Sequence, residues 1–588
     1  MNQENFFQSR HFLSIQERLL GLSQYESTAY IFLMQVWKKF SNDGIIKNEA
    51  LKYEYFFNQE IDSKKLKQII TLLAKEFNVF QLFLEQITQL DKLDVKALGH
   101  IYFALHFDNL KNVNDAFFHY GSGKEKPVSH QVVELGVKLL GNSTESIYAP
   151  FANDFTIADY TDKKIYVEGE AKSNSLVCEL IKIIDEKDIV YNVSNPLVAP
   201  TYREEKASHL LKQFDTVIAF PPFNQKTKMD LSDDSYNRFK IQRGTNLNIA
   251  HFEHILAQTK KKAVVLMPVG FTYRAGADEE FRKYLIEQNW LEGIIQLPTN
   301  IDTGSSIETT YIVINKQKDD KNVLFVSLKD DQFIERNGRK VEFKDIDSII
   351  RLYEERKSLE SVTALVANDT IASQSYSCVV DRYIISEEAI SLQTQLSGYK
   401  LVELQSIADV RRSQLFQDED EENGLDVIEI GPSDVARAGM TVPTGKTKRL
   451  YKQLNKLETY ALQSHDIVLS TKGTIGKVGI VLCNYTHVIA SQAMQVIRLK
   501  NDKHFNAIEL YMYLKSDLAQ SMLKQLVAGV AMPQISTTDI KKLKVPLLSK
   551  EELIQLNEKF HEEIDYYKKI EEIEHKIKKI HSDFLGKK

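Results

Sequence analysis

The stretch Phe214-Asp-Thr-Val-Ile-Ala-Phe-Pro-Pro-Phe223 decides how the first half of the chain folds. Residues 216–219 are apolar or β-branched, which predicts a short buried strand. Pro221 and Pro222 cannot continue a strand, so they predict a rigid loop at its carboxyl end. In an open α/β sheet, ligands bind beside that end of the strands. We therefore predict a rigid aromatic loop next to a ligand site; simple termination of the strand is the alternative.

Similar strand-like runs surround this stretch along the chain. They cover residues 164–167, 263–267, 293–297 and 310–314. The segments between them are long enough for helices and include 175–186, 249–259 and 279–289. This alternation is typical of a largely parallel sheet with crossover helices. The sequence predicts an α/β doubly wound domain over residues 141–330.

The flanking segments have different patterns. Apolar residues at three- and four-residue spacing predict a helical N-terminal domain over residues 1–140, followed after the α/β domain by a mixed connector over 331–398. Short strand-like runs with many turns predict a compact β-rich domain over 399–549. Residues 550–588 predict one long helix. That helix either folds back onto its own domain or forms a coiled coil, and the pattern favours neither.

The composition indicates an ordinary globular protein. The chain has 588 residues, 43% hydrophobic and 27% charged, and a formal net charge of -6. We expect no membrane span, no metal site with Cys/His spacing and a cytoplasmic location. The negative charge argues only mildly against DNA binding, because the distribution of basic residues matters more than their sum.

Residues 90–330 resemble the modification subunit of type I restriction–modification systems, a family of N6-adenine DNA methyltransferases. The family motif F-D-x-x-x-x-N-P-P-F falls on residues 214–223, and later segments follow in family order at 251–256, 263–270 and 293–300. The resemblance implies a Rossmann-like methyltransferase domain. The predicted fold class is thus α/β: a helical N-terminal domain, this methyltransferase domain, and a C-terminal mixed α/β target-recognition domain ending in a long helix.

The resemblance also assigns roles to the loop after the first quoted strand. In the family, an Asn or Asp and the carbonyl of the first proline accept hydrogen bonds from the adenine amino group, and an aromatic residue stacks on the flipped base. These catalytic positions correspond here to Phe220, Pro221, Pro222 and Phe223. Phe220 has no acceptor atom for the amino group. Asn224 lies beyond the prolines and would have to reach back to replace it.

The implied cofactor loop departs from the family in the same way. The pattern V-Y-D-P-x-C-G-S-G-G falls on residues 147–156, where Ala149 replaces the acidic residue and Phe155 replaces a glycine. The cofactor-binding positions are Pro150, Asn153, Phe155 and Glu170, with Glu170 matching the carboxylate that contacts the cofactor ribose. Asn153 is the residue expected to adopt a left-handed conformation. The resemblance implies S-adenosylmethionine if the site is active, and no cofactor if it is not.

Residues 399–585 resemble one target-recognition half of a type I specificity subunit. The matching segments are 401–409, 466–477, 489–495 and 529–535. We expect DNA contacts from Lys472, Thr474 and Lys477, since donors on an exposed turn suit phosphate binding, and Gln534 is a further expected contact. A solvated hairpin is the alternative for each residue. Further candidate contacts are Arg411, Arg412, Lys446, Lys448 and Arg449.

These features lead to a main hypothesis and three alternatives. The main hypothesis is a sequence-specific DNA-binding protein of this family, a catalytically impaired pseudoenzyme in a restriction–modification or phage-defence assembly. The alternatives are an active S-adenosylmethionine-dependent adenine-N6 methyltransferase, a scaffold that recruits an effector, and a nuclease using Glu170-Ala-Lys172. The expected partners are double-stranded DNA, a second copy or specificity-like protein paired through the terminal helix, and defence effector subunits.

Overall fold

The computed structural model forms two compact units, Met1–Cys378 and Val379–Lys588. It describes residues 23–585 apart from 60–61, 88–98, 100–109, 119–126, 142–144, 228–230, 232, 243–245, 302–306, 339, 385–393, 395, 420–422, 436–438, 442–444, 501–505 and 527–534. Within those residues, we find no helix with the length and hydropathy that crossing a membrane requires.

A nine-stranded sheet dominates the described part of the first unit. The strands of this unit are β1 Ser146–Pro150, β2 Lys164–Gly169, β3 Ile189–Val193, β4 Arg203–Glu204, β5 Ala207–Leu211, β6 Phe214–Ala219, β7 Thr259–Pro268, β8 Leu291–Gln296, β9 Thr309–Asn315, β10 Asn322–Ser327, β11 Ile334–Asn337, β12 Lys340–Phe343 and β13 Thr363–Ala367. The pairs β4–β5 and β11–β12 form separate two-stranded sheets. The five strand-like runs predicted from the sequence all lie in the large sheet.

The strand order in the large sheet is β13-β10-β8-β9-β7-β6-β1-β2-β3. β1 pairs in parallel with β2 on one side and with β6 on the other. β9 is antiparallel to both of its neighbours, β7 and β8. The chain therefore winds outward in both directions from β1. The loops that leave β1 and β6 lie at this topological switch point, where open α/β sheets bind ligands.

The helices of the first unit share one hydrophobic core with the sheet. Tyr311 in β9 is fully buried, and its hydroxyl donates to the carbonyl of Val132 in a preceding helix at 2.5 Å. The helices are Gln24–Asn42, Tyr53–Phe57, Ser63–Leu73, Asn78–Gln86, Val113–Phe118, His130–Leu140, Asn174–Leu180, Asn248–Gln258, Ala277–Glu287, Ile346–Glu355 and Asn368–Ser373, with a π-helical turn at Ile181–Asp185. The predicted helical segment thus packs directly onto the α/β fold.

Part of the stretch predicted as a connector belongs to the large sheet. β13 pairs antiparallel with β10, from Asn322 against Ala367 to Val326 against Thr363. The helix Ile346–Glu355 begins with Asp345 as its N-cap, whose carboxylate accepts from the Ser348 amide at 3.2 Å. The first compact unit accordingly extends beyond residue 330.

The second unit combines small sheets with helices. Its strands are β14 Leu401–Glu403, β15 Ala408–Arg412, β16 Leu425–Ile430, β17 Lys446–Leu450, β18 Ile467–Ser470, β19 Val478–Ile480, β20 Val488–Ala490, β21 Met494–Leu499 and β22 Lys544–Pro546. The orders β15-β21-β18-β19 and β17-β16-β20 define its two larger sheets, and β14 pairs with β22. Its helices are Leu404–Ile407, Leu454–Tyr460, Ala507–Lys515, Asp517–Gln525, Thr537–Lys541 and Lys550–Leu585.

The long terminal helix packs onto its own unit near its start. Phe560 is buried and meets Tyr511 edge to face, with ring centroids 5.7 Å apart. Leu553 and Ile564 join the same core. The predicted fold class, with a helical N-terminus, a large α/β sheet and a long C-terminal helix, is confirmed.

Candidate functional site

The loop after β6 carries the four predicted catalytic positions. Phe220 and Phe223 are half-buried and pack against the core of the first unit, while Pro221 is buried. Asn224 follows with a left-handed backbone, at φ 55°, and an exposed side chain. Its backbone N–H donates to the Asn248 Oδ1 at 2.9 Å, which holds the loop against the next helix. The structure thus places an aromatic, acceptor-free side chain at position 220.

The loop after β1 turns at a phenylalanine. Phe151 has φ 62°, a conformation that residues other than glycine rarely adopt. Its ring is buried and packs edge to face against His251 and His254, with centroid distances of 4.7 and 5.4 Å. Asn153, which we expected to be left-handed, is not among the positive-φ residues. That expectation was wrong, because two histidine rings on a neighbouring helix stabilise the turn two residues earlier.

The next residues of this loop are buried in the core. Phe155 is 1% exposed and contacts the rings of Tyr191 and Phe118, at 5.5 and 6.3 Å between centroids. The Phe155 amide donates to Asn114 Oδ1 at 2.8 Å, and Asn114 Nδ2 donates to the hydroxyl of Thr156 at 3.0 Å. Asn114 therefore holds both bulky residues in place from the helical segment. A side chain fills the position where the family motif has a glycine.

The same loop lies tightly against the end of β2. A Cβ added to Gly169 would lie 2.5 Å from the carbonyl oxygen of Ala152 and 3.3 Å from the hydroxyl of Tyr191. Such a separation from a backbone oxygen is too short for any side chain. The backbone of Ala152 thus packs directly against Gly169, where only a glycine fits. Pro150 is buried as the last residue of β1, and Asn153 is exposed.

Two glutamates lie at the end of β2 and differ in burial and in the number of hydrogen bonds that they accept. Glu170 is exposed and accepts a hydrogen bond from Asn195 Nδ2. Glu168 is fully buried, and its Oε1 accepts from the Ser194 hydroxyl, the Thr201 amide and the Thr201 hydroxyl at 2.6, 2.6 and 2.8 Å. Its Oε2 accepts from the Tyr148 hydroxyl at 2.6 Å. Four donors hold the Glu168 carboxylate within the fold, and sequence analysis did not single it out.

A buried polar chain continues from Tyr148. The Nε2 of His254 lies 3.2 Å from the Tyr148 hydroxyl, and Arg238 donates to His254 Nδ1 at 2.7 Å. Since Nδ1 accepts, the neutral ring carries its proton on Nε2. This N–H donates a hydrogen bond to the Tyr148 hydroxyl. Burial, followed by the nearby charge of Arg238, holds the pKa of His254 well below its usual value. Arg238 in turn pairs with Asp234 at 2.7 Å.

The predicted DNA-contact turn joins β18 to β19. Gly473 and Gly476 have φ of 70° and 85°, so both use the left-handed conformation that glycine permits. Gln520 Nε2 donates to the Gly476 carbonyl at 3.0 Å and fixes the turn. Thr474 and Lys477 are exposed, and Lys472 is half-exposed. The turn offers donors to solvent on a constrained backbone.

Several of the predicted DNA-contact residues make hydrogen bonds or ion pairs within the protein. Lys477 Nζ donates to the Pro432 carbonyl at 2.9 Å, and Arg449 pairs with Asp426 at 2.9 Å. Lys448 is buried and donates to the Phe416 carbonyl and to Glu429, both at 2.8 Å. As a direct DNA contact, Lys448 was therefore a wrong choice, because its ammonium group is already used inside the fold. Gln534 lies outside the described residues.

The fold of the first unit defines its class. Its strand order, with the antiparallel β9 inserted between β7 and β8, is that of S-adenosylmethionine-dependent methyltransferases. The comparisons with known proteins agree for both units. The family model described as N-6 DNA Methylase matches residues 155–391, and the model described as Type I restriction modification DNA specificity domain matches residues 397–581. The chain therefore carries an N-6 DNA methylase domain over residues 155–391 and a type I specificity domain over residues 397–581.

Individual relatives support this assignment. The chain is 25% identical over 267 residues to the type I restriction enzyme MpnII methylase subunit of Mycoplasma pneumoniae, covering 43% of this chain and 46% of the relative. It is 26% identical over 274 residues to the MjaVII methylase subunit of Methanocaldococcus jannaschii, covering 42% and 46%. The chain thus spans about half the length of these curated relatives.

One solved structure is similar to a larger share of this chain than these two relatives are. It is the crystal structure of a type I restriction–modification system methyltransferase subunit from Streptococcus thermophilus, with a TM-score of 0.55 and 15% identity. It covers 65% of this chain and 100% of that protein. At this identity the likeness establishes the shared fold.

Proposed function

We propose that this protein binds a specific DNA sequence through its specificity domain and that its own methyl-transfer site is impaired. In this proposal it acts in a restriction–modification or phage-defence assembly, with double-stranded DNA as its ligand. The motivation is the contrast between a constrained, solvent-accessible turn in the second unit and two altered loops in the first. Effector subunits of that assembly are further partners in this proposal.

The observation that carries the proposal is the filled loop after β1. The family implies S-adenosylmethionine as the cofactor, lying between this loop and the end of β2. The described residues do not fit it, because Phe155 and Thr156 are buried where glycines are needed. The exposed Glu170 retains a carboxylate at the expected strand end. One retained carboxylate does not make room for the cofactor where the side chains of Phe155 and Thr156 lie.

The loop after β6 supports the same proposal independently. Phe220 supplies no acceptor for the amino group of a flipped adenine, and Asn224 is tied to Asn248 through its backbone on the other side of the prolines. Loss of one stabilising polar group at a reaction centre typically costs about 2 to 4 kcal/mol, or two to three decades in rate. Together with the side chains of Phe155 and Thr156 in the loop after β1, this predicts little or no turnover.

Methyl incorporation tests the proposal without knowledge of the target sequence. Genomic DNA from a host without adenine methylation is incubated with the full-length protein and tritium-labelled S-adenosylmethionine. A functional adenine methyltransferase on the same DNA is the positive control. We expect incorporation at the level of a no-enzyme blank. Incorporation at multiple turnovers per protein would contradict the proposal.

A second candidate is an active adenine-N6 methyltransferase that tolerates Phe220 or uses a partner's site. It is favoured by the retained Pro221, Pro222 and Phe223 and by the exposed Glu170 at the end of β2. If it is correct, the wild type transfers methyl groups and Phe220→Asn changes the rate little. A large gain from Phe220→Asn would argue that position 220 limits the reaction and would count against this candidate.

We also propose that two copies associate through the terminal helix. Ile570, Ile573, Ile577 and Ile580 repeat at three- and four-residue spacing and are 39%, 55%, 48% and 67% exposed. A recognition domain that reads half of a bipartite site would gain its second half from the partner copy. Coiled-coil pairing through this stripe would cover the four isoleucines.

The mass in solution tests this association. Light scattering on the wild type should give the mass of two chains, and the double variant Ile573→Asp/Ile577→Asp should give the mass of one. Lys576→Asp, an exposed substitution between those positions, is the matched control and should leave two chains together. A monomeric wild type, or a double variant that remains paired, would contradict the association.

A further inference from the structure

Three potential metal ligands meet beside the filled loop of the first unit. Asp115 lies in the helix Val113–Phe118, His130 begins the helix His130–Leu140, and Asp159 lies in the 3₁₀ turn Thr156–Tyr160. One ligand atom from each residue lies within 4.8 Å of the other two. Because the three residues come from separate segments, no short sequence motif indicates the cluster.

The imidazole of His130 is oriented from both sides. Its Nδ1 lies 2.9 Å from the Tyr160 hydroxyl, and its Nε2 lies 2.9 Å from Asp115 Oδ1. Histidines that bind metals usually make a hydrogen bond through the second ring nitrogen, which fixes the direction of the first. Tyr160 is placed to do this for Nδ1. The Nε2 atom then faces the Asp115 carboxylate.

The surroundings of the cluster are negatively charged. Asp115, Asp159 and Asp154 all act electrostatically on His130. Asp115 is nearly buried, whereas Asp159 is exposed, so the cluster is open to solvent on one side. An ion from solvent can reach it through that side. Carboxylates around one imidazole form an environment that favours a cation.

We propose that Asp115, His130 and Asp159 bind a divalent transition-metal ion such as Zn²⁺, with water completing its coordination. One imidazole nitrogen with two carboxylate oxygens is a donor set suited to this class of ion. Ligands about 2.1 Å from a tetrahedral ion lie about 3.4 Å from each other. The widest separation in the cluster, at most 4.8 Å, therefore needs to shorten by at most about 1.4 Å, which side-chain rotation of the exposed Asp159 can provide.

The position of this site gives the ion a structural role. Asp115 directly follows Asn114, which hydrogen-bonds to both Phe155 and Thr156. A bound ion would tie the helix Val113–Phe118 and the turn Thr156–Tyr160 together on either side of those contacts. The ion would thus hold the loop after β1 in its filled conformation. This inference does not depend on whether the protein transfers methyl groups.

Zinc binding to the full-length protein tests the site. The protein is dialysed against a chelator, and ZnCl₂ is titrated by calorimetry while thermal melting is followed in parallel. We expect one equivalent to bind and to raise the melting temperature. Asp159→Asn and His130→Gln should each weaken binding at least about tenfold and remove the thermal shift. Asp162→Asn, a nearby exposed aspartate paired with Lys187, is the matched control and should bind as the wild type does.

Circular dichroism establishes that each variant is folded before the titration. Failure of the folded wild type to bind zinc would overturn the inference. Equal binding by wild type and both ligand variants would assign the ion to another group, such as the exposed Cys483 thiol, and would overturn it as well.

Discussion

The loop after β1 and the turn after β18 use the same backbone conformation in opposite ways. Both contain left-handed residues, but the turn uses Gly473 and Gly476 whereas the loop uses Phe151. The turn remains open to solvent, and the loop is packed with Phe151 and Phe155 in the core. In the first unit the left-handed position is occupied by a packed aromatic side chain, whereas in the second unit it is occupied by glycines in an exposed turn. The two proposals for this chain, DNA recognition by the second unit and impaired methyl transfer in the first, rest on this difference.

The substitution with the largest expected effect on stability tests whether Phe155 is a packing residue. Phe155→Ala removes a fully buried ring between Tyr191 and Phe118 and should lower the free energy of unfolding by about 3 to 5 kcal/mol. Thermal and urea melts of the first unit's transition measure this. Phe223→Ala is the matched control because that ring is only half-buried, and it should cost clearly less. Equal losses from both substitutions would mean that the loop is not a core element.

Acid sensitivity tests the histidines that support the same loop. Burial lowers the pKa of His251 to about 4, so the unfolded state takes up a proton in the range where the folded state does not. Stability should therefore fall as the pH drops from about 6.5 to about 4, by about 2 to 3 kcal/mol from this residue. His251→Leu should flatten that part of the stability profile, measured by urea melts at successive pH values. Exposed His209→Leu is the control, and an identical flattening there would contradict the assignment.

Substitutions in the turn after β18 should lower stability less than Phe155→Ala does. The two glycines of this turn should also differ in their effect. In Gly476→Ala the new Cβ would lie 2.6 Å from Gln520 Oε1 at a left-handed position, whereas at Gly473 the Cβ would meet open space. We expect Gly476→Ala to lose about 1 to 2 kcal/mol of stability and to weaken DNA binding. Gly473→Ala should lose about 1 kcal/mol or less. Fluorescence anisotropy and melts measure both, and a larger effect at Gly473 would show that Gln520 does not fix the turn.

The smallest expected effect concerns a single phosphate contact. Lys472→Ala should weaken DNA binding by about the same factor for every sequence, and the slope of log affinity against log salt should decrease by about 1. Anisotropy titrations at several salt concentrations measure this. Lys448→Ala is an informative comparison, since the buried Lys448 should change stability rather than the salt slope. A sequence-dependent effect of Lys472→Ala would mean that it reads base edges.

The sequence predicted the α/β fold because five of the nine strands of the large sheet carry their own signal, such as the apolar residues of β6 followed by two prolines. It also predicted that Phe155 would be out of place in a cofactor loop. It missed Glu168 because the donors to that carboxylate come from Tyr148, Ser194 and Thr201, far apart along the chain. It placed the left-handed residue at Asn153 because the histidine rings that support Phe151 belong to a distant helix. β13 was missed because five residues at a sheet edge give little periodicity.

The most direct test of the central claim is a calorimetric titration of S-adenosylmethionine into the protein, alone and bound to a duplex selected from a randomised library. We expect selection to enrich a defined sequence and calorimetry to detect no cofactor binding in either state. Micromolar or tighter cofactor binding, followed by methylation of the selected duplex, would contradict that claim.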